Sequence, residues 1–269
     1  MKKKIRKIVY PLLLLFILYI ISGMILAKRQ RQIIFKPVSL ARDFVFDPPS
    51  QFQAFNIEVK RGESLNILHL YREDTAKGQV LYFHGNSGNI QINLPALTSF
   101  LQKGYNVFIV DYPGYGKSTG TPTEKSINES AEVLYQLGTK YMSPDSTIIY
   151  GKGLGGAVAA YLASKHSCRA AILVSPFYSL YDIAHHYFPI YPVKKYLKGT
   201  FPVYHYVQRI AAPVFLFHGK KDRVIPFSQA KELSELLYKK DRFISLPKAT
   251  HQNVIQQPLY KSVMDSLLR

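Results

Sequence analysis

Residues 146–160 read STIIYGKGLGGAVAA. The run Thr147-Ile148-Ile149-Tyr150 is apolar and β-branched, which predicts a short buried strand. From Leu154 to His166 the residues are small and apolar, with helical character. Only Gly151-Lys152-Gly153 separates the two. A chain that passes from strand to helix in so few residues needs a very tight turn, and glycine permits the backbone conformations such a turn demands. Gly151 and Gly155 flank the turn, and Gly153 stands at its apex.

Working outward, further strands are predicted at 55–60, 64–71, 78–83, 105–111, 169–174, 213–218 and 242–246, where apolar or alternating runs occur. Helical patterns intervene at about 91–103, 124–140, 227–240 and 256–268. From residue 78 onward strand and helix alternate. That order calls for an α/β fold: a mostly parallel, eight-stranded sheet flanked by helices.

One region breaks the alternation. Residues 177–206 contain ten aromatics, against 13% aromatic residues overall. They predict a short cap, about 177–209, inserted between the sixth and seventh strands. Two readings stay open: a cap lining an apolar acyl pocket, or a small helical subdomain whose aromatics pack on the sheet. His185-His186 lie there without an acid or cysteine at ligand spacing, so no metal site is expected.

The chain has 269 residues and a formal charge of +18. Residues 1–42 hold ten Lys/Arg and no acid, while the rest of the chain carries 25 bases against 17 acids. More than half of the excess therefore flanks one segment, IVYPLLLLFILYIISGMILA at 8–27, which is 20 residues without a charge. That length matches the ~20 residues a helix needs to cross a bilayer core. A cleavable leader normally has a shorter apolar region and a small-residue cleavage site. Ile25-Leu26-Ala27 is a poor one, so the reading is a retained anchor. Basic charge points to a membrane here, and no nucleic-acid-binding signature accompanies it. The two flanks carry five Lys/Arg each, a tie by the positive-inside rule. The very short basic N-terminus favours N-inside, with the large domain on the non-cytoplasmic side. The expected layout is basic flank and anchor at 1–29, a Pro-punctuated linker at 30–54, and the domain at 55–269. Cys168 is the only cysteine, so no intrachain disulfide is possible, and a small core residue is its expected role.

Three loops at predicted strand ends carry chemistry-bearing residues. His84-Gly85-Asn86-Ser87-Gly88-Asn89 follows the strand at 78–83. His218-Gly219-Lys220-Lys221-Asp222 closes the strand at 213–218. Thr250-His251-Gln252-Asn253 follows the strand at 242–246, and His251 is the only histidine beyond Asp222. An acid past one strand and a histidine past the next suit a relay, in which the carboxylate orients the imidazole. Asp222 as a helix cap and His251 as a surface histidine are the plain alternatives.

Together with QRQIIFKP at 30–37, DYPGYGKSTGTPTE at 111–124, GKGLGG at 151–156 and VSPFYS at 174–179, these loops resemble the α/β-hydrolase superfamily over about residues 55–269. The chain is most similar to its small membrane-anchored and serine-aminopeptidase-like members. The resemblance implies hydrolysis of acyl esters, thioesters or amides through an acyl-enzyme, without a cofactor or metal. The turn at 151–155 then stands where the family has its nucleophile elbow, G-x-S-x-G. Asp222 and His251 become acid and base, and the N–H groups of Asn86 and Leu154 become oxyanion donors. Gly153 departs from that pattern, because it occupies the serine position and carries no nucleophile. Ser87 and Ser175 lie near the expected cleft, yet neither sits at the apex. The expectation is a weakly active or inactive scaffold. The alternative is a non-catalytic pseudo-hydrolase that binds an acyl or lipid-like ligand, or a protein partner the sequence does not name.

Overall fold

The computed structural model describes residues 2–72 and 75–269. Eight strands form one sheet: β1 (Gln51–Lys60), β2 (Glu63–Tyr71), β3 (Gly78–Phe83), β4 (Tyr105–Val110), β5 (Thr147–Lys152), β6 (Ala170–Val174), β7 (Val214–Gly219) and β8 (Arg242–Leu246). Their spatial order is β8-β7-β6-β5-β3-β4-β2-β1, parallel throughout except where β2 pairs antiparallel with β1 and β4. β3, β5 and β6 are buried along nearly their whole length, as expected of strands covered by helices on both faces.

Nine helices accompany the sheet among the described residues: α1 (Lys2–Ile34), α2 (Ile90–Gln102), α3 (Glu124–Gly138), α4 (Leu154–Ala163), α5 (Leu180–Tyr187), α6 (Val193–Tyr196), α7 (Val203–Val207), α8 (Phe227–Ser234) and α9 (Pro258–Leu267). Two apolar layers result. One packs α3, α4, α7 and α8 on the first face, through Ile127, Val158, Val203 and Leu233. The other packs α2 and α9 on the second, through Leu94, Phe100, Tyr260 and Met264. The eight strands occur where the sequence predicts them, with ends moved by a few residues. The cap between β6 and β7 is built of α5, α6 and α7.

The linker expected at 30–54 needs correction. Its first residues continue α1 to Ile34, and its last four open β1, which starts at Gln51 rather than near 55. Between them the chain is strapped to the domain. Phe35 is buried, Lys36-Pro37 pairs in parallel with Ser87-Gly88, and the Leu40 N–H donates to the Gly116 carbonyl at 2.8 Å. The Asn86 amide donates to the Ile34 carbonyl at 2.7 Å, taking up an acceptor freed at the helix end. Polarity along the sequence does not reveal such a strap, because its bonds run to the loops after β3 and β4.

α1 is apolar and long enough to cross a membrane over Lys7–Ile34, and from Lys7 to Leu18 its side chains are exposed around the whole circumference. Beyond that point a stripe of partly covered residues appears: Tyr19, Ser22, Gly23, Leu26, Ala27, Gln30 and Ile34. Their spacing is that of one helix face. The face lies against the cap.

Candidate functional site

In a parallel sheet the carboxyl ends of the strands share one edge, and loops leaving them converge there. β3, β5, β7 and β8 each send a predicted site residue to that edge.

β5 delivers Gly153. It caps α4 with φ 58° and ψ −117°, a conformation that side-chain-bearing residues rarely adopt. The flanking glycines are required by contact. A Cβ on Gly151 would lie 1.9 Å from the Gly155 carbonyl oxygen, and one on Gly155 would lie 2.0 Å from the Phe83 oxygen. Strand and helix backbones touch at both points, so no side chain fits. At Gly153 the space is open instead. A Cβ there would meet nothing nearer than His251, at 3.6 Å from Nε2 and 3.7 Å from Cε1.

β7 delivers Asp222, which is buried. Its Oδ1 accepts the N–H groups of Val224 and Ile225, both at 2.8 Å. Its Oδ2 accepts His251 Nδ1–H at 2.8 Å and lies 3.5 Å from His218 Nε2. Burial pushes this carboxyl upward, but the bond and charge of His251 with the two backbone donors outweigh it and leave Asp222 below the usual carboxylate range.

β8 delivers His251 across from Asp222. Because Nδ1–H is committed to the carboxylate, Nε2 is the free acceptor nitrogen, and it is the one that faces the apex. Thr250 N–H is held by Asn253 Oδ1 at 2.8 Å, which fixes the turn carrying the imidazole.

Asn86 after β3 is fixed through both its carbonyl and its side chain. The carbonyl accepts Lys36 N–H and Tyr115 O–H, each at 2.8 Å, and the amide holds the end of α1. Leu154 is the first residue of α4, so its N–H belongs to the helix end that lacks intrahelical acceptors. Ser175 is fully buried with φ 47°, and its Oγ has no hydrogen-bond partner. Ser87 is exposed in the two-residue bridge with Lys36-Pro37.

Two residues escaped the sequence reading. Lys152, between the first two glycines, has its pKa lowered by burial while the charge of Asp222 pulls it back up. His218 is fully buried, donates from Nε2 to the Ile225 carbonyl at 2.9 Å, and is lowered by burial. Both positions lie inside quoted motifs, but nothing in their spacing shows that His218 lies 3.5 Å from Asp222 or that the charge of Asp222 reaches Lys152. No group of three or more metal-ligating side chains occurs among the described residues.

The alpha/beta hydrolase fold family matches residues 78–200, from β3 through α5 and α6 of the cap. The protein has the α/β-hydrolase fold. The chain is 32% identical over 190 residues to alpha/beta hydrolase domain-containing protein 17C of Xenopus tropicalis, covering 68% of this chain and 59% of that protein. It is 28% identical over 191 residues to the uncharacterized protein YfhR of Escherichia coli O157:H7, covering 66% of this chain and 64% of the other. The matches thus span about three fifths of the length of these relatives. Among solved structures, the esterase Pf2001 of Pyrococcus furiosus superposes with a TM-score of 0.65 at 19% identity, over 87% of this chain and 96% of that one. Acetyl xylan esterase 1 of Thermoanaerobacterium sp. superposes at 0.62 with 17% identity, over 82% and 88%. At such identities the superpositions describe the fold.

Proposed function

We propose that the chain is a membrane-anchored relative of serine hydrolases of acyl esters, thioesters or amides, inactive or weakly active as written because Gly153 stands at the nucleophile position. The observation that carries this reading is the 3.6 Å between the Cβ position of Gly153 and His251 Nε2. A serine there would place its Oγ within hydrogen-bonding reach of that nitrogen, with the Asp222 carboxylate behind the ring. The roles follow the general logic of the triad: His251 takes and returns a proton, Asp222 orients it, and the Asn86 and Leu154 N–H groups stabilise an oxyanion. Without Oγ no acyl-enzyme forms at the apex. Residual hydrolysis by a water beside His251 is bounded by the roughly 10³–10⁴-fold that enzymes stripped of a triad member retain over water.

Two solved neighbours are esterases by name, which supports ester chemistry as the class to test first. Anchoring rests on α1, whose uncharged run 8–27 is long enough to cross a bilayer core. A second reading, a pseudo-hydrolase holding an acyl or lipid-like ligand, is favoured by Gly153 itself.

The full chain and its Gly153→Ser variant, compared with a fluorophosphonate probe and short-chain p-nitrophenyl esters, separate the two. Labelling and turnover by the serine form alone support an intact relay. If neither form reacts, the site has lost more than its nucleophile, and the binding reading takes precedence.

A further inference from the structure

The cap and α1 meet at a depth that has a consequence for the cap. Tyr19 donates to the Ile190 carbonyl at 2.9 Å and stacks on Tyr191 with ring centroids 5.0 Å apart. Ser22 Oγ lies 2.8 Å from the Tyr191 hydroxyl, and a Cβ on Gly23 would lie 3.2 Å from that same ring. Nearer the domain, Gln30 accepts from Lys198 N–H at 2.8 Å and donates to the Tyr196 carbonyl at 3.1 Å. Tyr19 and Ser22 belong to the uncharged run 8–27, while Gln30 lies beyond it.

A helix rises ~1.5 Å per residue, so those 20 residues are ~30 Å long, which is the thickness of the hydrocarbon core with nothing to spare. If Ala27 marks the boundary, Tyr19 lies ~12 Å below it. What touches Tyr19 lies at the same depth.

We infer that the cap tip, residues 187–192, is embedded in the leaflet that α1 enters, with Lys194 and Lys195 at the level of anionic lipid headgroups. This rests on the reading of α1 as a membrane anchor. The chemistry of the tip agrees. Ile190 is 69% exposed and Tyr187 48% exposed, although both are apolar or aromatic. Hydrocarbon tolerates irregular backbone only where its polar groups are satisfied. Pro189 and Pro192 carry no N–H, and three of the four remaining N–H groups of 188–193, on Phe188, Tyr191 and Val193, are bonded within the cap. The Ile190 carbonyl is taken by Tyr19. No acid occurs between Asp182 and Asp222, so the tip itself carries no charge that an anionic leaflet would repel. A surface cavity of about 410 Å³, lined by Tyr181, His185, Tyr191, Lys194 and Lys195 among others, opens on this side and also contains no acid.

The chain has no tryptophan, so a single introduced one reports alone. The full chain would be reconstituted into phosphatidylcholine–phosphatidylserine vesicles containing lipids brominated along the acyl chain. Three variants are compared: Ile190→Trp at the tip, Phe16→Trp within the anchor, and Tyr238→Trp on the far side of the domain. The inference expects bromine quenching of the first two and none of the third. Quenching of Phe16→Trp alone overturns the embedded tip while the anchor stands. No quenching of Phe16→Trp overturns the anchor reading and the inference with it. Blue-shifted but unquenched emission from Ile190→Trp means that protein, such as a second copy of the chain, covers the tip, and it too overturns the proposal. Reversing Lys194 and Lys195 to Glu should weaken quenching of Ile190→Trp at least about twofold, since each basic residue near an anionic surface contributes to binding. Unchanged quenching would overturn the headgroup contact.

Discussion

The turns after β5 and β7 stand two strands apart on one edge of the sheet and are built by opposite means. The first is a backbone structure. Gly151 and Gly155 let strand and helix touch, and its apex needs no side chain to hold its shape. The second is a side-chain structure. One carboxylate gathers the N–H groups of Val224 and Ile225 and the ring of His251. The difference shows how a glycine at the apex is compatible with a bonded Asp222–His251 pair. A glycine at the apex of the β5 turn avoids backbone strain, whereas losing Asp222 would leave the Val224 and Ile225 N–H groups without their acceptor. Persistence of the acid–histidine pair is therefore no measure of catalysis, because the pair also holds its loops.

The largest effect that would break this comparison is at the flanking glycines. Gly155→Ala should cost about 3 kcal/mol or more, since its methyl would overlap the Phe83 carbonyl and the β3 and α4 backbones would have to part. A thermal melt in detergent within a degree or two of the parent would refute backbone contact as the reason for glycine.

Next comes Asp222→Ala, expected to cost about 2–4 kcal/mol through the unsatisfied N–H groups of Val224 and Ile225. Asp222→Asn keeps an acceptor and should lose less. Equal losses in denaturant titrations would mean the carboxylate charge, rather than its bonds, holds the loop.

Gly153→Ser sharpens the comparison from the other side. Stability should fall by about 1–3 kcal/mol, because φ 58° strains any residue with a Cβ. Ester turnover should rise by roughly 10³-fold or more if the relay is competent. A higher melting temperature for the serine form would contradict the strain argument.

The smallest effect is a pH dependence. His69 and His84 are buried, which lowers each to about 4, and His218 is lowered for the same reason. A histidine lowered on folding is protonated more readily in the unfolded chain, so stability falls as pH drops below the free value of about 6.5 toward 4. Asp111, raised by burial to about 7, acts in the opposite sense over an overlapping range and offsets part of the slope. Asp222, held low, adds a further loss only below its free value of 3.8. His69 stacks on Phe108 at 4.0 Å and neither of its ring nitrogens has a hydrogen-bond partner. His69→Phe should therefore raise the melting temperature more at pH 5 than at pH 8. An equal gain at both would assign the effect to packing alone.

By itself the sequence determined the alternation of strand and helix, the place of the tight turn, and the three loops that bring Asn86, Asp222 and His251 to one edge. It did so because period, glycine spacing and strand-end position are local properties. It also determined the uncharged run at 8–27, since length and absence of charge need no fold to be read. Only the tertiary structure decided that residues 30–54 are strapped to the domain through Asn86 and Gly116 rather than loose. It alone placed His218 beside Asp222 and Lys152 within the reach of its charge, and pressed Tyr19 against the cap. Apart from His218 and Asp222, which are four positions apart and meet through the turn after β7, these are contacts between residues tens to hundreds of positions apart, and their partners are chosen by which surfaces the packed sheet brings face to face.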